Sequence, residues 1–241
     1  MSNPQPLGTP AAAPAIATTA LTKRLGRTWA VRDLTFAVPH GSVLLVVGPN
    51  GSGKTTLLRV LATALRPTSG RATVLGHDIV AQADAVRTQA AFVGTSPGVY
   101  DALTARENLQ FATAMYGRRP QSMTLWLERV GLAGLDDHLV RTFSHGMKRR
   151  LALARAWLNA PSVLLLDEPY TGLDAEGVRL VDTMVGETTR RGGCAVVATQ
   201  EWERGTRIAD GVLVLSAGRM VDLTPAAQFS AYVLTTAAGR L

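Results

Sequence analysis

The 241-residue sequence is poor in features that would indicate an oxidising compartment or a membrane span. It has one cysteine, Cys194, so an intramolecular disulfide is impossible and a reducing compartment is expected. No apolar run approaches the roughly 18 residues that cross a bilayer. The first residues, MSNPQPLGTPAAAPA, lack the basic-then-apolar order of a secretory signal and predict a disordered tail over residues 1–15. We therefore expect a cytosolic chain whose membrane role depends on a partner.

The sequence also lacks internal repeats and any histidine and cysteine spacing that would suggest a metal site. Apolar residues make up 46% and charged residues 18%, as in globular proteins. The net charge of +7 fits nucleic acid, a membrane surface or a polyphosphate ligand as partner, and equally a solvated basic surface. We interpret the one basic cluster, Lys148–Arg150, as a solvated helix face.

Strand and helix patterns alternate in the first part of the chain. VRDLTFAV, which ends at Pro39, predicts a strand, and the upstream AIATTALTKRLG predicts a short edge strand. The continuous apolar run Ser42–Val47 is typical of a strand buried on both faces of a parallel sheet. From Lys54, KTTLLRVLATAL has helical spacing and ends at Arg66-Pro67. RATVLG and AAFVG predict two further strands.

A mostly helical block from Thr104 to Trp157 interrupts this alternation, and we interpret residues 97–157 as an inserted helical subdomain. Strand SVLLLD, a helix over about residues 175–191, strand CAVVAT and a hairpin around Ala217-Gly218 follow. This mixed order predicts an α/β fold. The expected domain covers residues 16–223, with residues 224–241 as a C-terminal extension.

The stretch GPNGSGKTT, Gly48–Thr56, matches the pattern G-x-x-x-x-G-K-[ST] between an apolar strand and a helix. Glycines allow backbone N–H groups to converge on one anion, and the helix directs its positive end at the same place. Lys54 can add a charge at the β- and γ-phosphates, and the Thr55 hydroxyl can coordinate Mg²⁺. We predict that this segment, the phosphate loop, binds a nucleoside triphosphate through Gly48, Pro49, Asn50, Gly51, Ser52, Gly53, Lys54, Thr55 and Thr56.

A second acidic element follows in VLLLDEP. Asp167 ends an apolar strand, where it can hold Mg²⁺ through water, and Glu168 can polarise an attacking water. These two positions are the predicted metal ligand and the predicted catalytic base of an ATPase.

Three segments in this order resemble the ATP-binding subunits of ABC transporters, over about residues 21–223: the phosphate loop, FSHGMKRRLALARAWL and DEPYTGLD. The resemblance implies a P-loop NTPase (RecA-like) core of ABC ATPase type with an antiparallel β subdomain and an inserted helical subdomain. It also implies ATP and Mg²⁺ as ligands, and a dimer of ATP-binding subunits, homo or hetero, on the cytoplasmic face of the membrane. Integral membrane permease subunits are the implied partners, and nucleic acid is not. Its signature segment, Phe143–Leu158, would meet the opposite subunit's ATP through Ser144, His145, Gly146 and Met147, and Asp174 occupies the D-loop position.

A narrower resemblance is to the ATP-binding subunit of the haem exporter in cytochrome c maturation. It is carried by GTSPGVYDALTARENLQF, LARAWL, DEPYTGLD and ERG at Glu203–Gly205. Other exporter ATPases share parts of these segments. Haem is therefore the expected cargo, with another substrate left open.

Four departures from the family pattern, at five positions, are present. The Gln-loop position falls on Thr95, whose hydroxyl reaches less far than an amide, and the switch-histidine position falls on Gln200, which cannot carry a proton at neutral pH. His145 and Met147 replace a small residue and a glutamine in the signature segment. The adenine-stacking aromatic falls on Leu25; nearby Trp29 is an alternative, but a Trp packed in the core is the preferred interpretation.

Because Glu168 and Lys54 are retained, we expect a working but slow ATPase. Thr95 and Gln200 also fit an alternative: a nucleotide-binding regulatory subunit, paired with a more active homologue, that barely hydrolyses ATP. A soluble ABC ATPase of translation or repair is a third hypothesis, but tandem cassettes or long insertions typical of that class are missing.

Overall fold

The computed structural model describes residues 13–116 and 122–230. A six-stranded sheet forms its centre, in the order β10-β9-β3-β8-β7-β6. The inner strands are parallel, and β10 pairs antiparallel with β9 at one edge. The bounds are β3 Val43–Val47, β6 Ala90–Val93, β7 Val163–Asp167, β8 Cys194–Ala198, β9 Gly211–Ser216 and β10 Arg219–Pro225.

A second, antiparallel sheet has the order β2-β1-β4-β5. Its strands are β1 Ile16–Leu25, β2 Thr28–Val38, β4 Ser69–Val74 and β5 His77–Asp78. The expected short edge strand is wrong. β1 has 10 residues and lies between β2 and β4, because its inward side chains at Ile16 and Leu21 are fully buried.

Seven α-helices connect the strands in the described ranges: α1 Lys54–Leu61, α2 Ala83–Gln89, α3 Ala105–Met115, α4 Met123–Arg129, α5 His145–Trp157, α6 Ala175–Arg190 and α7 Trp202–Gly205. The first is shorter than its sequence pattern, because Thr63 adopts a positive φ of 60° and ends the helix. Among the residues with described positions, no helix combines the length and the apolar character needed to cross a membrane.

The alternating side chains of the parallel sheet pack into two different cores. Leu44 and Val46 of β3 face α1 and the antiparallel sheet, whereas Val43, Leu45 and Val47 face α5 and α6. All five residues of each of β3, β7 and β8 are buried, and for β3 this confirms the prediction from the continuous apolar run Ser42–Val47.

The helices between residues 105 and 157 share an apolar cluster of their own, which includes Leu109, Leu127 and Leu151. The division into domains stays a prediction. At the chain ends, residues 1–12 of the expected tail and 231–241 of the expected extension lie outside the described residues, and Ala15 is fully buried.

The carboxyl ends of four adjacent parallel strands meet at one edge of the large sheet. They carry the phosphate loop after β3, Thr199 and Gln200 after β8, Asp167 and Glu168 at β7, and Thr95 after β6. Open α/β sheets bind ligands at this edge. The topology therefore places the two predicted site elements side by side.

Candidate active site

The phosphate loop joins β3 to α1 and is packed against strands of both sheets. A Cβ at Gly48 would lie 2.1 Å from the carbonyl oxygen of Leu215, and one at Gly53 would lie 2.1 Å from that of Ala30. Both glycines also have positive φ, 149° and 107°. Glycine is thus required here by the close approach of the protein's own backbone, in addition to any approach of a ligand.

Lys54 is folded over this loop, where its ammonium donates to the carbonyl oxygens of Gly48 at 2.7 Å and Pro49 at 3.0 Å. The side chain is buried, and burial lowers the pKa of Lys54 below its ordinary value despite the nearby Glu168 and Asp167 carboxylates. A phosphate group would add negative charge beside this ammonium and offset that cost.

Asp167 and Thr55 contact each other directly. The Thr55 hydroxyl donates to the Asp167 carboxylate, 2.8 Å from Oδ2 and 3.1 Å from Oδ1. Burial raises the pKa of Asp167 above its ordinary value, so a cation beside it would restore the charged form. A hydroxyl and a carboxylate are hard oxygen donors, and Mg²⁺ binds such donors together with substrate phosphates. The two residues therefore fit the ion predicted from the sequence.

Glu168 follows immediately in a left-handed backbone conformation, with φ 47°. Its carboxylate Oε2 accepts from the Thr199 hydroxyl at 3.0 Å and from the Gln200 amide at 3.3 Å. The Gln200 side chain in turn donates to Asn50 Oδ1 at 2.8 Å. The predicted base, the switch position and the phosphate loop are thus joined in one hydrogen-bond network.

Thr95 is exposed at the end of β6, on the wall of a groove of about 700 Å³. This coupling groove is lined by α2, β6, α3, α5 and the loop 94–98, with Arg155 and Tyr116 among its polar side chains. The Thr95 carbonyl, not its hydroxyl, is tied to the site, by a bond of 3.4 Å from Arg149 Nη1.

The signature residues Ser144, His145, Gly146 and Met147 begin α5. The Ser144 hydroxyl caps the helix by accepting from the Met147 amide at 3.2 Å. The His145 ring lies against Gly172, where a Cβ would be 2.9 Å from ring carbon Cδ2. Ser144 and His145 are exposed. These contacts place the segment beside the D-loop of the same chain.

Asp174 caps α6, accepting from the Gly177 amide at 2.8 Å and from Arg150 Nη2 at 2.7 Å. The backbone hydrogen bond from Gly177, and then the Arg150 side chain, lower the pKa of Asp174. Arg150 also contacts Glu176 at 3.2 Å, so it connects α5 to the start of α6.

Leu25 and Trp29 flank the turn between β1 and β2 and are 45% and 42% exposed. The interpretation of Trp29 as a core residue is wrong. Its ring carries the Arg24 guanidinium at 5.4 Å, and the neighbouring Ala30 carbonyl faces Gly53 of the phosphate loop. An exposed aromatic therefore lies next to the predicted phosphate site.

The interpretation of Lys148–Arg150 as a solvated face is also wrong. Arg149 is 1% exposed and Arg150 is 8% exposed, and Arg149 donates to backbone carbonyls at the ends of β6 and β7. A signal was present, because Ala152, Leu153 and Trp157 follow Arg149 at helical spacing and are buried.

Comparison with known proteins agrees with this geometry. The family model described as ABC transporter matches residues 31–171, which is more than half of the sequence. The chain belongs to the ABC transporter family. It is an ATP-binding subunit of that family. Its α/β fold with parallel and antiparallel sheets, predicted from the sequence, is confirmed.

Two groups of curated relatives are similarly close. The daunorubicin resistance ATP-binding protein DrrA3 of Streptomyces coeruleorubidus is 40% identical over 83% of this chain and 64% of its own length. The cytochrome c biogenesis ATP-binding export protein CcmA of Xanthomonas campestris is 46% identical over 69% of this chain and 77% of its own length. The chain thus spans under two thirds of the daunorubicin relative.

Among solved structures, the dimeric ATP-binding cassette MJ0796, in a post-hydrolysis state with ADP and Pi, has a TM-score of 0.78. It is 22% identical, and the match covers 89% of this chain and 100% of that one. At this identity the likeness concerns the fold.

Proposed function

We propose that this chain is an ATPase and the energy-coupling subunit of an exporter, and that it acts as a pair of ATP-binding subunits beneath integral membrane permease subunits. The main observation in support of this proposal is that Thr55, Asp167 and Glu168 lie together with the phosphate loop at one edge of the sheet. Its place of action would be the cytoplasmic face of the membrane.

Each side chain has a defined task in this proposal. Lys54 exchanges its carbonyl partners for phosphate oxygens, and Glu168 accepts a proton from the attacking water. Thr55 and Asp167 would hold Mg²⁺, which supplies positive charge to the phosphate oxygens. Thr199 and the Gln200 amide hold the Glu168 carboxylate, and the Gln200 side chain can donate to the γ-phosphate in place of Asn50. Without a histidine at position 200, slow turnover is expected.

A second ATP-binding subunit completes the site. Ser144 and His145 are exposed at the positive end of α5 and lie beside Gly172, so they can contact a nucleotide held by another subunit. The dimeric relative MJ0796 supports this arrangement. The partner is a second copy of this chain or a homologous one.

The coupling groove provides the contact for a permease helix. Its wall combines the half-buried aromatic Tyr116 and the exposed apolar Met115 with the Arg155 guanidinium. Thr95 lies between this groove and the sheet edge that carries Glu168. A helix seated there would therefore press on the segment next to the site.

The proposed cargo is a planar polycyclic amphiphile, with haem as the first candidate. The 46% identity to a cytochrome c biogenesis protein supports haem, and the daunorubicin resistance relative supports a cargo of the same chemical type. Cargo recognition would belong to the permease.

The test is phosphate release from the purified chain, alone and with the permease that co-purifies from membranes. Glu168→Gln removes the base while retaining size and hydrogen bonding, and is expected to lower kcat by about 10²-fold or more. If wild-type turnover is no higher than that of E168Q in both settings, the proposed ATP-hydrolysing function is excluded and the regulatory-subunit alternative is supported.

Transport by the complex reconstituted in vesicles distinguishes the two candidate cargoes. Haem or daunorubicin is added on the ATP side, and its ATP-dependent appearance inside is followed by absorbance or fluorescence, with E168Q as the control. Haem transport supports cytochrome c maturation, daunorubicin transport supports drug export, and transport of neither contradicts the proposed cargo class.

A further inference from the structure

Arg149 is a charged side chain that is almost completely buried. It lies on α5 among the buried Leu153 and Trp157. Burial lowers the pKa of this guanidinium, although the Asp167 and Glu168 carboxylates act in the opposite direction. Burying a charge is costly unless hydrogen bonds satisfy it. The contacts of Arg149 must therefore compensate for its loss of water.

Those contacts are four backbone carbonyls from two strand ends. Nη2 donates to Asp167 at 3.0 Å and to Glu168 at 2.7 Å, and Nη1 donates to Thr95 at 3.4 Å and also to Gly94. One guanidinium thus fastens the ends of β6 and β7 to each other and to α5. We call this arrangement the arginine clamp.

The clamp acts on a backbone position that is strained. Glu168 has φ 47°, a left-handed conformation that is unfavourable for a non-glycine residue. Its amide donates to the Ala198 carbonyl at 2.7 Å, and its carbonyl accepts from Arg149. The side-chain bond from Thr199 fixes the carboxylate but cannot by itself hold the peptide plane.

We propose that Arg149 is a positioning residue that holds Glu168 in the backbone conformation required of the catalytic base, and that couples this conformation to the position of α5. This rests on the proposed function in so far as Glu168 activates water. Because α5 begins with Ser144 and Gly146, a nucleotide that pulls on the helix tip acts on the base through the clamp. Movement of the Thr95 segment reaches Glu168 by the same guanidinium.

The experiment compares three variants of the full chain. Arg149→Met removes the donors and retains much of the length, whereas Arg149→Lys retains the charge and part of the donor capacity. The matched control is Lys148→Met: it removes one charge from the neighbouring position, where Lys148 forms an ion pair with the exposed Asp101 at 2.7 Å.

The first measurement is hydrogen exchange without nucleotide. In R149M, amides of the segments 94–99 and 167–173 are expected to exchange about tenfold faster or more, with K148M unchanged. Unchanged exchange in R149M would overturn the clamp. Should R149M fail to fold, R149K is measured in its place and is expected to show a smaller increase in the same two segments.

The second measurement has two parts. One is the ATP turnover of each variant, and the other is the amount of ATP that stays bound to the protein after rapid gel filtration. R149M is expected to lose about 10²-fold in kcat with KM for ATP within about threefold, and to retain ATP as E168Q does. R149K should fall between R149M and wild type. A purely structural role predicts loss of ATP binding together with turnover, and that result would overturn the proposal, as would kcat within threefold of wild type.

The two proposals fail separately. If wild-type protein turns over no faster than E168Q, the proposed function is contradicted. The arginine clamp is then decided by hydrogen exchange alone, where faster exchange in both segments supports it and unchanged exchange excludes it.

Discussion

The three glycines of the phosphate loop differ in the physical reason why glycine occupies the position. Gly48 and Gly53 combine positive φ with a carbonyl oxygen 2.1 Å from where a Cβ would lie. Gly51 has a φ of 76°, but open space surrounds its Cβ position. Only the first two therefore carry a steric requirement imposed by the rest of the fold.

Gly48→Ala is accordingly expected to destabilise the protein by about 3 kcal/mol or more, because the Leu215 backbone must move. Gly51→Ala is the matched control and is expected to cost about 1 kcal/mol of backbone strain. Urea denaturation measures both free energies of unfolding. Equal losses in the two variants would contradict the steric argument.

At the scale of single residues, the sequence predicted the site elements that lie in short, contiguous motifs. The phosphate loop, Asp167 and Glu168 were found because each pattern is contiguous, and their spatial convergence follows from strand order. Trp29 and Arg149 were misinterpreted because exposure depends on what packs against them. Trp29 lies exposed near the start of β2, and the burial of Arg149 is compensated by carbonyl acceptors at the ends of two strands that are distant in the sequence.

Helix α3 shows how capping residues fix the start of a helix. The Thr104 hydroxyl accepts from the Glu107 amide at 3.2 Å, and the Glu107 carboxylate accepts from the Thr104 amide at 2.8 Å. This reciprocal capping box satisfies two amides of the first turn. It fixes the start of the helix that lines one wall of the coupling groove.

Thr104→Ala is expected to lower the free energy of unfolding by about 1 kcal/mol, because the hydroxyl acceptor is lost. Thr183→Ala serves as the comparison. Its exposed hydroxyl donates to the Arg179 carbonyl within α6, and its loss is expected to change stability by less than about 0.5 kcal/mol. Chemical denaturation of both variants checks the difference, and similar values would argue against the cap.

Strand β1 shows the limit of prediction for an element. A short strand was predicted there from the sequence, but its inner place in the sheet depends on β4, which pairs with it from about 50 residues away in the sequence. Buried parallel strands were easier to predict, because β3 and β8 are apolar throughout, β7 is apolar up to Asp167, and such runs are recognised without knowledge of a partner strand.

On the scale of the whole molecule, Cys194 reports on the integrity of the central sheet. It is fully buried in β8, and desolvation raises the pKa of its thiol to about 12. Thiolate is the reactive form, so the folded protein should resist thiol reagents at mildly alkaline pH.

We expect no reaction of native Cys194 with a disulfide reagent at pH 8, and rapid reaction in concentrated guanidinium chloride. Above the ordinary thiol pKa of 9.0, the unfolded chain loses a proton that the folded chain keeps, so this group destabilises the fold as pH rises. Wild type should therefore lose more stability than Cys194→Ala between pH 9 and 11, by about 1.4 kcal/mol per pH unit at most. Parallel pH profiles would contradict the shifted pKa.

The strands that pair with β3 also determine when the phosphate loop can fold during synthesis. That strand pairs with β8 and β9, and the Gly218 amide donates to the Ser52 carbonyl at 3.0 Å. Residues 43–56 leave the ribosome long before their partners near 194–218 are synthesised. A nascent chain can therefore complete its nucleotide site only after residues 194–218 have been synthesised, which keeps shorter polypeptides from consuming ATP.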